Sequence, residues 1–208
     1  MKNKFSIMRL LGIFCLALVF FAGGCQRTGG KLSSNEQRIW DNFLNKRLST
    51  GMVNPNSEEA SAVAALGDKI VPRIEKNLGK AYTGSGGKGD YWLVIVLARI
   101  GTPRAVEGIA KILKHDYPGK IQLDREIAAS ALVWLGATQA IPALKEAVTD
   151  SRKFVEQKLN EEKAEGISEE ALAWHRSDYG KWVEQMEGAL STLEQGQGKR
   201  DTKNFPFD

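Results

Sequence analysis

Cysteine and histidine are almost missing from this 208-residue chain, which carries two of each. Two thiols, Cys15 and Cys25, are too few for a disulfide framework or a cysteine-rich zinc site. His115 and His175 lie far apart, and neither has a second histidine at metal-ligand spacing, so no metal is expected. The same shortage leaves no Ser-His-Asp or Cys-His constellation to argue from. The expectation is a protein that is not an enzyme and holds no cofactor. A strong charge excess is also missing, since 29 Lys and Arg face 25 Asp and Glu for a net charge of +4. That balance gives no reason to expect nucleic acid.

What is present begins with Lys2, Lys4 and Arg9, followed by an uninterrupted apolar run from Leu10 to Ala22 that ends in Ala22-Gly23-Gly24-Cys25. This is the charge order of a cleaved signal peptide. The run is well short of the roughly 20 residues a bilayer-spanning helix needs, so a membrane anchor helix is the weaker reading. Residues 1–24, read as the leader, remove Cys15 and three basic residues, which lowers the net charge from +4 to +1. The segment resembles the lipobox of bacterial lipoproteins, whose cysteine is diacylated, exposed by cleavage and usually N-acylated, with chains such as palmitate. The resemblance implies lipidation of Cys25, attachment to a membrane through its acyl chains and a place in the cell envelope. Gln26 after the cysteine favours the outer membrane in a Gram-negative host. Ala22 stands where the family usually has Leu, and the rival is an ordinary secretory cleavage that leaves Cys25 a plain thiol. Residues 25–33 read as a tether. At no more than about 3.5 Å per residue it places the first helix within about 30 Å of the lipid surface.

The mature length suits one domain with a core of its own. Three of its segments align: AALGDKIVPRIEKNL from Ala64, LARIGTPRAVEGIAKIL from Leu97 and LVWLGATQAIPALKEAV from Leu132. Ile74, Ile109 and Leu144 recur every 35 residues, as do Leu78, Leu113 and Val148, and Pro72, Glu107 and Pro142. A fixed period over three units signals a solenoid of helical hairpins. Gly67, Gly101 and Gly136 are placed to end each first helix in the left-handed conformation, with Asp68 or Thr102-Pro103 starting the second. The apolar run from Tyr91 to Ile100 reads as a core helix covered on all sides. The pattern, best formed at residues 135–144, is similar to HEAT repeats of the kind seen in phycobilisome lyases. It implies an all-α, short HEAT-like solenoid over residues 57–150 and is nearly silent on chemistry.

Helical caps are expected at both ends. Residues 34–56 form the first, with an amphipathic helix from Ser34 to Leu48 that turns Ile39, Trp40, Phe43, Leu44 and Leu48 inward. Residues 151–194 form the second, with Ser168 capping a long helix through Glu194 lined by Tyr179, Trp182, Val183, Met186, Leu190 and Leu193. Thr149-Asp150-Ser151 is a weak break, so residues 138–165 read equally as one helix or two. Residues 195–208 read as a flexible tail despite Phe205-Pro206-Phe207.

Several motifs carry competing readings. The loop from Gly79 to Asp90 clusters Gly84, Gly86, Gly87 and Gly89 around Lys88, but Tyr82 and Gly89 break the phosphate-loop pattern, and a flexible connection fits better. Glu58-Glu59, Glu161-Glu162 and Glu169-Glu170 could suggest acid–base work, yet adjacent helical residues diverge and acids in a first turn complement the helix dipole. Trp134 shares a column with Ala64 and Arg99, which points it outward. Either the helix bearing Trp174 and Trp182 covers it, or an aromatic face is left to bind a ligand.

Stacked by the same period, the second helices give three polar columns: Lys69, Arg104 and Gln139; Lys76, Lys111 and Glu146; Lys80, His115 and Asp150, with Arg73 and Lys114 beside them. The resemblance places these helices on the concave side, which implies a basic half-groove for an acidic protein partner or an anionic glycolipid. A merely solvated charged face is the plain alternative. The function expected is therefore that of a membrane-anchored, non-enzymatic binding or scaffold lipoprotein that makes protein–protein contacts in the cell envelope. The alternatives are a lyase-like chaperone of the phycobilisome lyase type and a purely structural envelope protein.

Overall fold

The computed structural model describes residues 30–50, 57–80, 90–114 and 123–198. Eight α-helices and no strand occur among them. These are α1 (Ser34–Thr50), α2 (Glu58–Ala64), α3 (Val71–Lys76), α4 (Tyr91–Ile100), α5 (Pro103–Lys114), α6 (Leu123–Leu135), α7 (Ile141–Ala164) and α8 (Glu169–Glu194). No described helix is long and apolar enough to cross a membrane. All described residues but Gly30 belong to one compact unit, Lys31–Asp208.

The period read from the sequence reappears as two layers. Helices α2, α4, α6 and α8 pack side by side in one, and α3, α5 and α7 in the other. Between paired helices, Gly67, Gly101 and Gly136 hold φ of 62°, 63° and 62°, a left-handed conformation that glycine adopts without strain. Thr102 then caps α5 by accepting the Ala105 N–H at 3.2 Å. Asp68 does not cap α3 as its position suggested. A 3-10 turn over Gly67–Lys69 delays the helix to Val71, and the Asp68 carboxylate instead accepts the Thr102 hydroxyl of the next unit.

Helix α4 explains why the stack needs all its parts. Every residue from Trp92 to Ala98 is buried, because α2, α5 and α6 surround it. A helix with no polar face is stable only when enclosed in this way. Ile74, Ile109 and Leu144, one period apart, are each fully buried, and burial of such a side chain is worth about 1.5–3 kcal/mol. The helices approach closely at Gly108, where a Cβ would stand 3.2 Å from both Leu97 methyls.

At the N-terminal end, Trp40 and Phe43 of α1 join the core, and Ser33 and Glu36 form a reciprocal capping box. At the other end α7 runs as one helix of 24 residues. Thr149 causes no break because its hydroxyl donates to the Lys145 carbonyl one turn back, and Ser151 is buried, accepting from Arg125 Nη1 at 3.1 Å. Ser168 caps α8 through the Ala171 N–H. Helix α8 lies along α6 in the place of a further first helix. The two run parallel: Asp178 faces Glu126 near the start of α6, and Gly198 meets Val133 and Gly136 at its end. The distal parts of α7 and α8 therefore project past α6 as a two-helix hairpin.

This parallel register corrects the expectation for the tryptophans. Trp134 is half-buried against the core, as are its column mates Ala64 and Arg99, so the column lies at the core's edge rather than facing outward. Trp174 precedes Asp178 by a turn and so lies beyond the start of α6, away from Trp134. It remains 65% exposed.

Candidate functional site

The polar side chains of the stack are used mostly to tie one unit to the next. Lys69 pairs with Glu36 at 3.0 Å, Lys111 with Glu75 at 2.7 Å, Lys114 with Glu146 and Arg152 with Glu187 at 2.6 Å. Each joins residues roughly one period apart. The Ser33 backbone N–H and Lys69, together with the Ser33 hydroxyl, pull the Glu36 carboxyl down to about 2. These are exposed pairs, worth little singly, and their regular recurrence is the informative feature.

Beneath them lies a buried version of the same device. The Asp90 N–H donates to Asp124 Oδ2 at 3.0 Å, and Asp90 Oδ2 in turn accepts the Gly79 N–H at 2.6 Å. Both aspartates are fully buried. Together they join the end of the first unit, the start of α4 and the start of α6. The glycine-rich stretch that Asp90 closes, with Lys88, lies outside the described residues.

The seven basic residues singled out by the period fall into two groups. Lys69, Lys111 and Lys114 are exposed but engaged by the acids just named. Lys76 and Lys80 are exposed, Arg73 and Arg104 are half-buried, and none of these four has an ion-pair partner among the described residues. The spare positive charge is thus gathered on the first unit and the start of α5. His115 and Cys25 lie outside the described residues.

The projecting hairpin holds a cluster that the sequence pattern did not single out. Glu162 on α7 is 6% exposed, and its carboxylate takes His175 Nδ1 at 2.7 Å and the Tyr179 hydroxyl at 2.9 Å from α8. Burial alone would raise the Glu162 pKa. The His175 and Tyr179 hydrogen bonds outweigh it, helped by the charges of His175 and Lys158, and hold the group below the ordinary carboxylate range. Burial raises the Tyr179 phenol, and its bond to Glu162 raises it further. Trp174, His175, Tyr179 and Trp182 follow one another in ring contact, with centroids 5.0–5.7 Å apart. Exposed Trp174 and Ile167 stand at the end of this hairpin.

A second feature of the hairpin is a groove of about 410 Å³ between α7 and α8. Val155, Leu159, Gly180 and Val183 form its floor, with Glu156, Arg176 and Glu184 among the residues of its rim. Only the aromatic spacing in α8 hinted at either feature, because both depend on which residues of α7 the turn at Gly166 brings opposite.

Residues 124–150 match the model of the PBS lyase HEAT-like repeat family. The chain matches no curated protein and no solved structure. The matched stretch spans α6, the turn at Gly136 and the first part of α7, which is one hairpin of the layered stack, and the fold is an all-α solenoid with HEAT-like repeats.

Proposed function

We propose that this chain is a lipid-anchored, non-enzymatic scaffold of the cell envelope whose HEAT-like solenoid holds an acidic protein partner. The observation that carries the reading is the division among the basic residues. Those farther along the stack are engaged by neighbouring acids, while Arg73, Lys76 and Arg104 on adjacent second helices, with Lys80 in the turn after α3, keep their charge available. An uncompensated basic patch steers an acidic partner toward it and weakens with salt. Anchorage rests on Cys25 after a leader-like segment, and the short tether would keep the solenoid near the membrane surface. The lyase-like alternative draws support only from the repeat type, which one hairpin carries.

The test is capture of partners from the native envelope by the chain and its Lys76→Glu/Lys80→Glu variant. The variant should lose capture in a salt-dependent way and keep its melting temperature, since neither lysine holds a unit in place. Lys111→Glu is the control, because it sets two carboxylates together at Glu75 and should lower stability. Equal capture by parent and double variant at every ionic strength removes the basic face as the binding surface. Fractionation of Cys25→Ala checks the anchor, with release from the membrane as the expected result.

A further inference from the structure

In each earlier unit the first-layer helix is covered on its far side by the first helix of the next unit, but no described helix follows α8. The groove floored by Val155, Leu159, Gly180 and Val183 is left open, with Val155 and Leu159 only half-buried and nothing within 4 Å of where a Gly180 Cβ would stand. Its charges are arranged about Gly180. Arg176 stands one turn before that glycine and Glu184 one turn after, each about 6 Å away along the helix axis. Arg152 meets Glu187 and Glu162 meets His175, which sets Glu156 on α7 at the level of Glu184 across the groove. One end of the groove therefore carries a guanidinium and the other two carboxylates. Arg176, Glu156 and Glu184 are all exposed, and none has an ion-pair partner among the described residues.

We propose that this groove is the docking site of a second copy of the chain, laid antiparallel so that the two α8 helices cross at Gly180. Charge decides both the occupant and its orientation. About a two-fold axis at Gly180, a residue a given number of places before the glycine on one copy meets the residue the same number of places after it on the other. Arg176 of each copy then meets Glu184 of the other, with Glu156 beside it on α7, and the contact is made twice. A parallel arrangement would set Arg176 on Arg176 and Glu184 on Glu184, which like-charge repulsion opposes. Shape agrees with charge. Residues at four-residue steps form the ridge by which helices pack, and glycine at the crossing lets the two backbones come close. Val155, Leu159 and Val183 of both copies then leave water together. Arg73, Lys76, Lys80 and Arg104 belong to other parts of the fold, so pairing and the capture of an acidic partner are separate properties.

Sedimentation equilibrium of the full chain in density-matched detergent reads the pairing. The parent should associate reversibly, and more weakly as salt rises. Arg176→Glu and Glu184→Arg should each raise the dissociation constant about tenfold or more, since either change sets like charges together at both contacts. Both variants should keep the parent's far-UV spectrum, because neither side chain holds a described neighbour. Their equimolar mixture should pair about as tightly as the parent, every contact again joining opposite charges, and Arg176→Glu/Glu184→Arg should pair with itself. Gly180→Leu should abolish pairing although leucine favours the helix more than glycine does. A parent that stays monomeric at every concentration overturns the proposal. So does pairing that both single variants retain, or a mixture that pairs no more tightly than its components.

Discussion

The stacked hairpins from Glu58 to Val148 and the projecting hairpin from Ser151 to Gly180 bury their polar groups for different ends. In the stack, Asp90 and Asp124 are fully buried and serve backbone N–H groups, so a carboxylate fixes how one unit sits on another. In the hairpin, Glu162 serves the side chains of His175 and Tyr179, so the carboxylate fixes only how two helices meet. The apolar support differs in the same sense. Ile109, Leu113 and Leu144 belong to one continuous core, whereas Leu172 is buried apart from that core near the hairpin's end. Stability in the first region is shared among several helices, and in the second it is local.

The sharpest way to break this comparison is to remove a side chain from each region. Ile109→Ala should lower global stability by about 2–5 kcal/mol, because the helices packed round α5 prevent the cavity from collapsing. Leu135→Ala should cost less, since Leu135 is only half-buried. Leu172→Ala should leave the global urea transition nearly in place and instead speed exchange within residues 160–176. A Leu172→Ala loss as large as that of Ile109→Ala would show the hairpin to be part of the cooperative core.

Acid should separate the two regions next. A carboxylate whose folded pKa lies below its unfolded value contributes stability that is present above the unfolded value, near 4.5, and is lost as pH falls through the folded one. Glu162 has that sign, so the hairpin should loosen below about pH 4.5 before the stack unfolds. Trp174, in edge contact with His175 at 5.3 Å, provides the fluorescence signal. Glu162→Gln should remove the acid transition and weaken the hairpin at neutral pH by about 1–3 kcal/mol, through loss of charge-assisted hydrogen bonds. The same acid transition in parent and variant would assign it to another group.

How far each region could be read from sequence follows the same division. The core column of Ile74, Ile109 and Leu144 and the turns at Gly67, Gly101 and Gly136 were legible because the period encodes them directly. The two-layer order follows from the need to enclose Trp92–Ala98. Asp68 misled because a capping residue type does not reveal where a 3-10 turn displaces the helix start. The Lys69–Glu36 and Lys111–Glu75 pairs were not legible, because they depend on how adjacent units are rotated and period alone does not fix that. The Glu162 cluster was hidden for a different reason. Its partners come from a helix that has no counterpart in the period, and Glu161-Glu162 read only as adjacent helical acids that point apart.

The smallest effect tests a conflict inside the fold rather than a support. Glu126 on α6 has its pKa raised, first by burial and then by the charge of Asp178 on α8, and its Oε1 finds no hydrogen-bond partner among the described residues. The sign is opposite to that of Glu162. A carboxyl that holds its proton more tightly when folded adds stability at low pH and loses it as pH rises through the raised value, so at neutral pH the charged form opposes the packing of α8 on α6. Glu126→Gln keeps the shape and removes the charge. Because the site is partly exposed and solvent screens the repulsion, the gain at pH 7 should stay below about 1 kcal/mol. The gain should vanish at a pH low enough to protonate Glu126 in both states, and Asp178→Asn should reproduce part of it at pH 7. Paired urea titrations at the two pH values measure the difference, and a loss of stability in Glu126→Gln at pH 7 would show that the carboxylate is a support after all.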